Sequence, residues 1–268
     1  MLGLHHDRIL MYHGTPRRDA LALERQLRLV RLAFPVVPLE KLADRSSGRA
    51  RVALTFDDGL RNNIDVAYPI LRKLGLTATF FVCPGLIDRG QWLWNHEARQ
   101  RLLALGKPAA EVEGVIERMK TLKIAERRRM EDEIRSATPG FEPTAEQRAE
   151  FDLASWDELR QLDPKTVTIG SHTMTHPILT SLDDDETEAE TRDSRFALEQ
   201  RLDREVSIFC YPNGDLNNAV VASARRYYRS AVTTEAGRLE GAIDPHRMPR
   251  YSATPGWNRR LARRMIIG

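Results

Sequence analysis

The chain has 268 residues, and 41 Lys and Arg set against 38 Asp and Glu leave a formal net charge of only +3. With 41% hydrophobic and 29% charged residues it has the composition of an ordinary globular protein, neither disordered nor membrane-embedded. The basic residues, 35 Arg and 6 Lys, are scattered, with no basic stripe carrying interleaved aromatics, so nucleic acid is not an expected partner.

The first fourteen residues carry charge and histidines where a signal peptide needs a continuous apolar core. No stretch approaches the ~18 apolar residues of a transmembrane segment. The expectation is a cytoplasmic protein, and two cysteines, Cys83 and Cys210, fit a reducing compartment and exclude a disulfide-rich scaffold.

Short apolar runs predict buried strands at 8–12, 51–56 and 77–83, the last rich in β-branched and aromatic residues and stopped by Pro84-Gly85. Helical patterning follows at 65–74. Between about 96 and 150 there is no strand signal, only charged helical sequence, which reads as a helical insertion over one face of the fold with Trp92 and Trp94 at its entrance. Ser155-Trp-Asp-Glu158 then restarts regular structure with a capping box. Further strands are predicted at 166–169, 206–210 and 230–234, with helices at 187–202 and 218–228; Asp183 to Glu186 reads as an acidic helix start. The tail at 258–267 reads as a terminal helix. Strand and helix alternate, which predicts an α/β fold with a parallel sheet, and six or more repeats over this length favour a barrel. Length divided by about 150 residues per domain leaves one or two domains open.

Two motifs carry chemistry. Thr55-Phe-Asp57-Asp58-Gly59 directly follows a strand, so two carboxylates sit where barrel active sites are built. Their side chains diverge, so one can hold a metal while the other handles a proton. Gly170-Ser-His172-Thr-Met-Thr-His176-Pro177 also follows a strand; a short helical turn there would put both imidazoles on one side. Asp58, His172 and His176 together would make an O,N,N ligand set with open positions.

These residues resemble the polysaccharide deacetylases with NodB homology, carbohydrate esterase family 4. The family's Thr-Phe-Asp-Asp-Gly stands unaltered at Thr55 to Gly59, its His-Ser/Thr-x-x-His is matched by His172, Thr173 and His176, and Ala78-Thr-Phe-Phe81 is typical of it. The resemblance implies a distorted (β/α) barrel of about seven strands, with all of residues 1–268 in one domain that includes the insertion. It implies Asp57 as general base and a divalent metal, Zn first and Co, Ni, Mn or Fe as alternatives, on Asp58, His172 and His176. The family's Arg-x-Pro-Tyr departs here to Cys210-Tyr211-Pro212-Asn213, so the guanidinium that steadies the base is missing locally, and Arg250 is the candidate to supply it from a later strand. Cys210 is then a buried small residue rather than a nucleophile.

The family's general acid is a His in a late Leu-x-x-His. Here Leu10-Met-Tyr-His13 fits that pattern at the end of the first strand, as in the poly-N-acetylglucosamine deacetylase branch, and makes His13 the candidate acid. His5, His6 and His96 are left as surface or lid residues. The oxyanion is expected to meet the metal and a backbone N–H near Tyr211. Trp92, Trp94, Tyr211 and Tyr251 could stack on a sugar or fill the core.

The expected function is metal-dependent removal of an N-acyl group, acetyl or formyl, from an amino sugar, polysaccharide or surface-glycan precursor, the last lipid-linked or nucleotide-linked if the enzyme is cytoplasmic. The alternatives are an amidase for a small non-sugar amide or imide, and a catalytically silent carbohydrate-binding protein on the same fold.

Overall fold

The computed structural model describes residues 6–42 and 49–256. Seven parallel strands form one sheet: β1 Arg8–Tyr12, β2 Val52–Phe56, β3 Ala78–Val82, β4 Val167–Ser171, β5 Ile208–Cys210, β6 Ser230–Val232 and β7 Tyr251–Ser252. Their order is β6-β5-β4-β3-β2-β1-β7. β1, β2 and β3 are buried at every position, as expected of parallel strands covered on both faces. Every strand predicted from the sequence is present, with ends shifted by no more than two residues.

The helices on the outer face have local causes. α1, Ala20–Ala33, turns Leu23, Leu27 and Val30 inward. α2, Tyr68–Leu74, continues from a π turn at Asn63–Ala67 and stops at Gly75, whose left-handed φ of 60° lets the chain reverse. α3, Pro84–Arg89, follows β3. The acidic run opens its helix as predicted: the Asp183 carboxylate accepts from the N–H of Glu186 at 2.7 Å. The capping box at Ser155 is present too.

The stretch predicted as an insertion is four helices and no strand: α4 Trp94–Ala104, α5 Ala109–Lys120, α6 Ile124–Ala137 and α7 Ala145–Phe151. They bury a core of their own, built from Trp94, Leu102, Val112, Ile116, Met119 and Ile134, into which Ile178 projects. Ile178 lies two residues beyond His176, so this small core anchors the histidine loop to the insertion. α8, Trp156–Arg160, leads to β4, after which come α9, Asp184–Leu202, and α10, Asn218–Tyr227.

The last described segment curls the sheet toward closure. Met248 bridges in parallel to Val232 of β6, and three residues later Tyr251 pairs with Leu10 of β1. Arg250 lies between these two contacts and is completely buried. The result is a distorted α/β barrel with its first and last strands adjacent. No helix among the described residues is long and apolar enough to cross a membrane. The predicted tail helix and His5 lie outside the described residues.

Candidate active site

All of the chemistry-bearing residues but Arg250 leave the carboxyl ends of the strands, where a barrel places its loops. His13 follows β1, Asp57 and Asp58 follow β2, His172 follows β4, and Arg250 immediately precedes β7. Sheet-like hydrogen bonds continue past the strands: the N–H of Asp57 donates to the Tyr12 carbonyl at 2.9 Å and that of His172 to Val82 at 2.9 Å. The chain then turns abruptly. Asp58, Gly59, Thr173 and His176 all have left-handed backbone, with φ of 74°, 67°, 67° and 57°. Non-glycine residues rarely adopt it, and here it recurs in both motifs, where the fold spends stability to aim side chains.

The segment from His172 to His176 is therefore a loop, not the helical turn expected from the sequence. Its rings still come together, with centroids 4.7 Å apart and planes at 74°. The loop holds itself by the N–H of His176 donating to Thr173 Oγ1 at 2.9 Å, and by Thr175 binding Glu190 through its N–H and hydroxyl.

Asp58, His172 and His176 converge. His172 Nε2 lies 3.6 Å and His176 Nε2 3.5 Å from Asp58 Oδ1. Ligands at about 2.1 Å around a tetrahedral ion stand roughly 3.4 Å apart, so these spacings fit a divalent cation. His172 Nδ1 is 2.7 Å from the Cys210 carbonyl, which can only accept, so Nδ1 carries a proton. Burial alone would lower His172, but Cys210, Asp58 and Asp57 hold it well above its usual value, so Nε2 shares a proton with Asp58 that a bound cation would replace. His176 is pulled down to about 3 by burial and by His172, so it offers a neutral ring. Burial pushes Asp58 up, but its hydrogen bond to His172 and the imidazoles around it hold it well below the usual carboxylate range. The donor set, one carboxylate and two imidazoles, fits Zn or a similar ion. A second convergent group, Asp57, His172 and Cys210, fits poorly. Its aspartate is gripped by an arginine, and burial pushes the Cys210 thiol up so that it stays protonated.

Arg250 forms a bidentate pair with Asp57: Nη1 donates to Oδ1 and Nη2 to Oδ2, both at 2.7 Å. The same guanidinium donates to Thr55 Oγ1, the Thr233 carbonyl and Cys210 Sγ, so all three of its nitrogens are used. Cys210 thus lies against this pair. Burial alone would raise Asp57, but the charge and hydrogen bonds of Arg250 override it and keep the carboxyl ionised below its ordinary range. His13 is exposed at the rim, near enough to act electrostatically on both Asp57 and Asp58.

Other expected residues are placed differently. Tyr211 is fully buried against Phe209, its hydroxyl donates to the His246 carbonyl at 3.0 Å, and its N–H is engaged by Val232 at 3.3 Å. It can neither stack on a sugar nor lend its own N–H to an oxyanion. Trp94 is also buried, its ring covered by the Arg127 guanidinium at 4.7 Å, and Tyr251 is a core residue of β7. Trp92 is half-buried against Phe141 and Phe151, with its N–H on Asp152 at 2.7 Å. His6 faces Glu240 at 3.6 Å. His96 does more than a surface residue would. Half-buried against Phe151, it is near enough to act on Asp58 and His176, and burial lowers its pKa. No local pattern marks it, because it reaches the site from the insertion.

Comparison with known proteins gives a consistent picture. The family model "Polysaccharide deacetylase" matches residues 44–232. YxkH of Bacillus subtilis (strain 168), assigned by its name to the polysaccharide deacetylases, is 22% identical over 214 residues. That match covers 80% of this chain and 55% of YxkH, so the chain spans about half the length of that relative. The Streptococcus pyogenes deacetylase PplD, solved in complex with acetate, superposes with a TM-score of 0.66 at 20% identity, covering 98% of this chain and 99% of PplD. IcaB from Ammonifex degensii gives 0.65 at 17% identity, covering 94% and 93%. At such identities the two structures speak to the fold.

Proposed function

Because the chain belongs to the polysaccharide deacetylase family, we propose that it is a metal-dependent hydrolase that removes an N-acetyl group from an amino sugar within a glycan. The observation that carries this reading is the pairing of two unlike carboxylates: Asp57 held ionised by Arg250, and Asp58 facing two convergent imidazoles.

Asp58, His172 and His176 would hold the divalent ion, Zn by donor type. When bound, such an ion polarises the acyl carbonyl and lowers the pKa of water toward ~7. Asp57 accepts the proton of the attacking water; an ionised carboxylate has about four lone-pair sites, and Arg250 occupies only two of them. Arg250 fixes the orientation of that carboxylate and takes the place of the arginine missing at Cys210. His13 donates a proton to the departing amine, which leaves badly as an anion. Its exposure at the rim suits a group that must reprotonate from solvent each turnover.

A polar cavity of about 440 Å³ runs between the α5–α6 turn and the loop after β5, lined by Lys120, Lys123, Ile178, Thr180, Asn213 and Asp215. It touches Ile178, just after the histidine loop, and offers a sugar chain hydrogen-bonding partners in place of the unavailable aromatic faces. Acetate release from N-acetylglucosamine oligomers, measured before and after treatment with a chelator and after Zn readdition, tests the proposal. Release that is lost and then restored supports it. Metal binding without release from any N-acylated sugar overturns it in favour of a binding protein.

A further inference from the structure

On the other side of the histidine loop the insertion encloses a second cavity of about 200 Å³, and its wall is strongly basic. Arg89 from the end of α3, Arg127, Arg128 and Arg135 from α6, and Trp94 from the start of α4 line it, together with Thr175, the residue before His176. Glu131 is the only acidic residue of the lining. The sequence showed these arginines only as part of an ordinary charged helix; folding brings three of them to one wall beside the metal-ligand loop.

Their charges are unevenly compensated. Arg128 pairs with Glu186 at 3.3 Å, and Arg135 with Glu97, Asp132 and Glu131 at 2.9, 3.2 and 3.6 Å. Arg89 is exposed and makes no ion pair among the described residues. Arg127 is only 5% exposed. Its Nε donates to Glu131 at 2.9 Å, and its Nη1 is a buried donor with no protein partner. Trp94 Nε1, under the same guanidinium, is a second buried donor without one. A buried donor left unpaired costs about 1–3 kcal/mol, and two side by side next to a basic cavity are the arrangement an anionic acceptor would satisfy.

We propose that this cavity is a substrate subsite for an oxyanion, a phosphate or carboxylate group, carried by the glycan next to the N-acyl sugar. This rests on the deacetylase reading for its biological sense, but not for its test. Arginine is suited to the role because its planar fork accepts such groups in a bidentate manner and keeps its charge when buried. The partial compensation by Glu131, Glu97 and Glu186 sets the site against non-specific polyanions, since only a group small enough to enter reaches Arg127.

The test is calorimetric titration of the metal-loaded protein with N-acetylglucosamine 1-phosphate, with glucuronate and with neutral N-acetylglucosamine. Wild type is expected to bind one of the anionic sugars at least tenfold more tightly than the neutral one. The advantage should shrink about fivefold in Arg89→Gln, an exposed change that does not threaten folding, and tenfold or more in the charge-balanced double variant Arg127→Gln/Glu131→Gln. Trp94→Phe, which keeps the ring but removes the donor, should weaken the anionic sugar alone. Preference for the phosphate assigns the site to a phosphorylated precursor, and preference for glucuronate assigns it to a uronic acid neighbour. Because these variants leave Asp58, His172 and His176 untouched, anion binding to the metal cancels in the comparison. Equal affinity for charged and neutral sugars, or an equal loss of both in Arg89→Gln, overturns the proposal. Failure to release acetate from any substrate would sink the deacetylase reading while leaving this binding measurement intact.

Discussion

Arg250 holds Asp57 through two hydrogen bonds of 2.7 Å across 193 positions of sequence. The contact exists because the chain segment before β7 bonds to β6 on one side and β1 on the other, which carries Arg250 into the interior behind the first motif. Removing it with Arg250→Gln leaves a buried carboxylate without its charge partner, a change that typically costs about 3–5 kcal/mol. The sign of the pH effect follows from Asp57 lying below its ordinary range. Its pairing stabilises the fold above the unfolded carboxylate value of about 3.9, and that contribution is lost as pH falls through the folded pKa. In Arg250→Gln burial has lost its main opponent, Asp57 rises, and the acid limb of the rate profile should move upward by a unit or more (about 1.4 kcal/mol per unit). Acetate release and thermal melting across pH 4–8, set beside wild type, measure both. An unmoved acid limb would remove Arg250 from the role given to it.

The division of labour between the two aspartates makes a paired prediction. Asp58→Asn and His176→Ala each remove a ligand and should lower bound metal, measured by elemental analysis after dialysis, from about one equivalent to a small fraction. Asp57→Asn should keep the metal and lose about 10²–10⁴-fold in kcat, the usual worth of a general base. If Asp57→Asn lost metal while Asp58→Asn kept it, the two assignments would have to be exchanged.

Much of this architecture is legible in the sequence, for identifiable reasons. β1 falls at the predicted 8–12 because Ile9 to Tyr12 is an unbroken apolar run, whereas β7 has two residues and no run to detect. The two motifs are local, so Asp57, Asp58, His172 and His176 could be read directly. Their backbone could not be, because the left-handed residues at Asp58 and His176 obey the site rather than their own propensities. Aromatic residues misled: Trp94 and Tyr211 look like sugar platforms, but the packing around Ile134 and Phe209 claims them for the core. His96, Arg127 and Arg89 were illegible as site residues because only tertiary packing of the insertion sets them beside the histidine loop.

His13 can be tested through the leaving group. Protonation is needed for an amine but not for a phenolate, which departs unaided. His13→Gln should therefore cost about 10²–10⁴-fold in kcat on an N-acetyl sugar and much less on a 4-nitrophenyl acetate ester. The residue is exposed, so the melting temperature should scarcely change. Equal losses on amide and ester would assign His13 to positioning rather than proton donation.

The last prediction concerns a residue with no chemistry of its own. Gly170 is two positions before His172, and a Cβ placed on it would run into the ring of Phe81. That ring lies 5.8 Å below the Arg250 guanidinium and 6.4 Å from the His172 imidazole, so it supports both halves of the site at once. Gly170→Ala adds one methyl group, and overpacking of this kind costs roughly 1–3 kcal/mol because a dense core has nowhere to send the displaced ring. The shift should reach both neighbours: metal affinity falls through His172, and kcat falls through the Arg250–Asp57 pair, although no ligand or acid–base group has changed. Phe81→Leu in the Gly170→Ala background makes room for the methyl and should recover metal binding and part of the lost melting temperature. Measuring metal content, melting temperature and acetate release for the single and double variants decides the matter. If the second substitution restores none of them, Phe81 is not the element that transmits the strain.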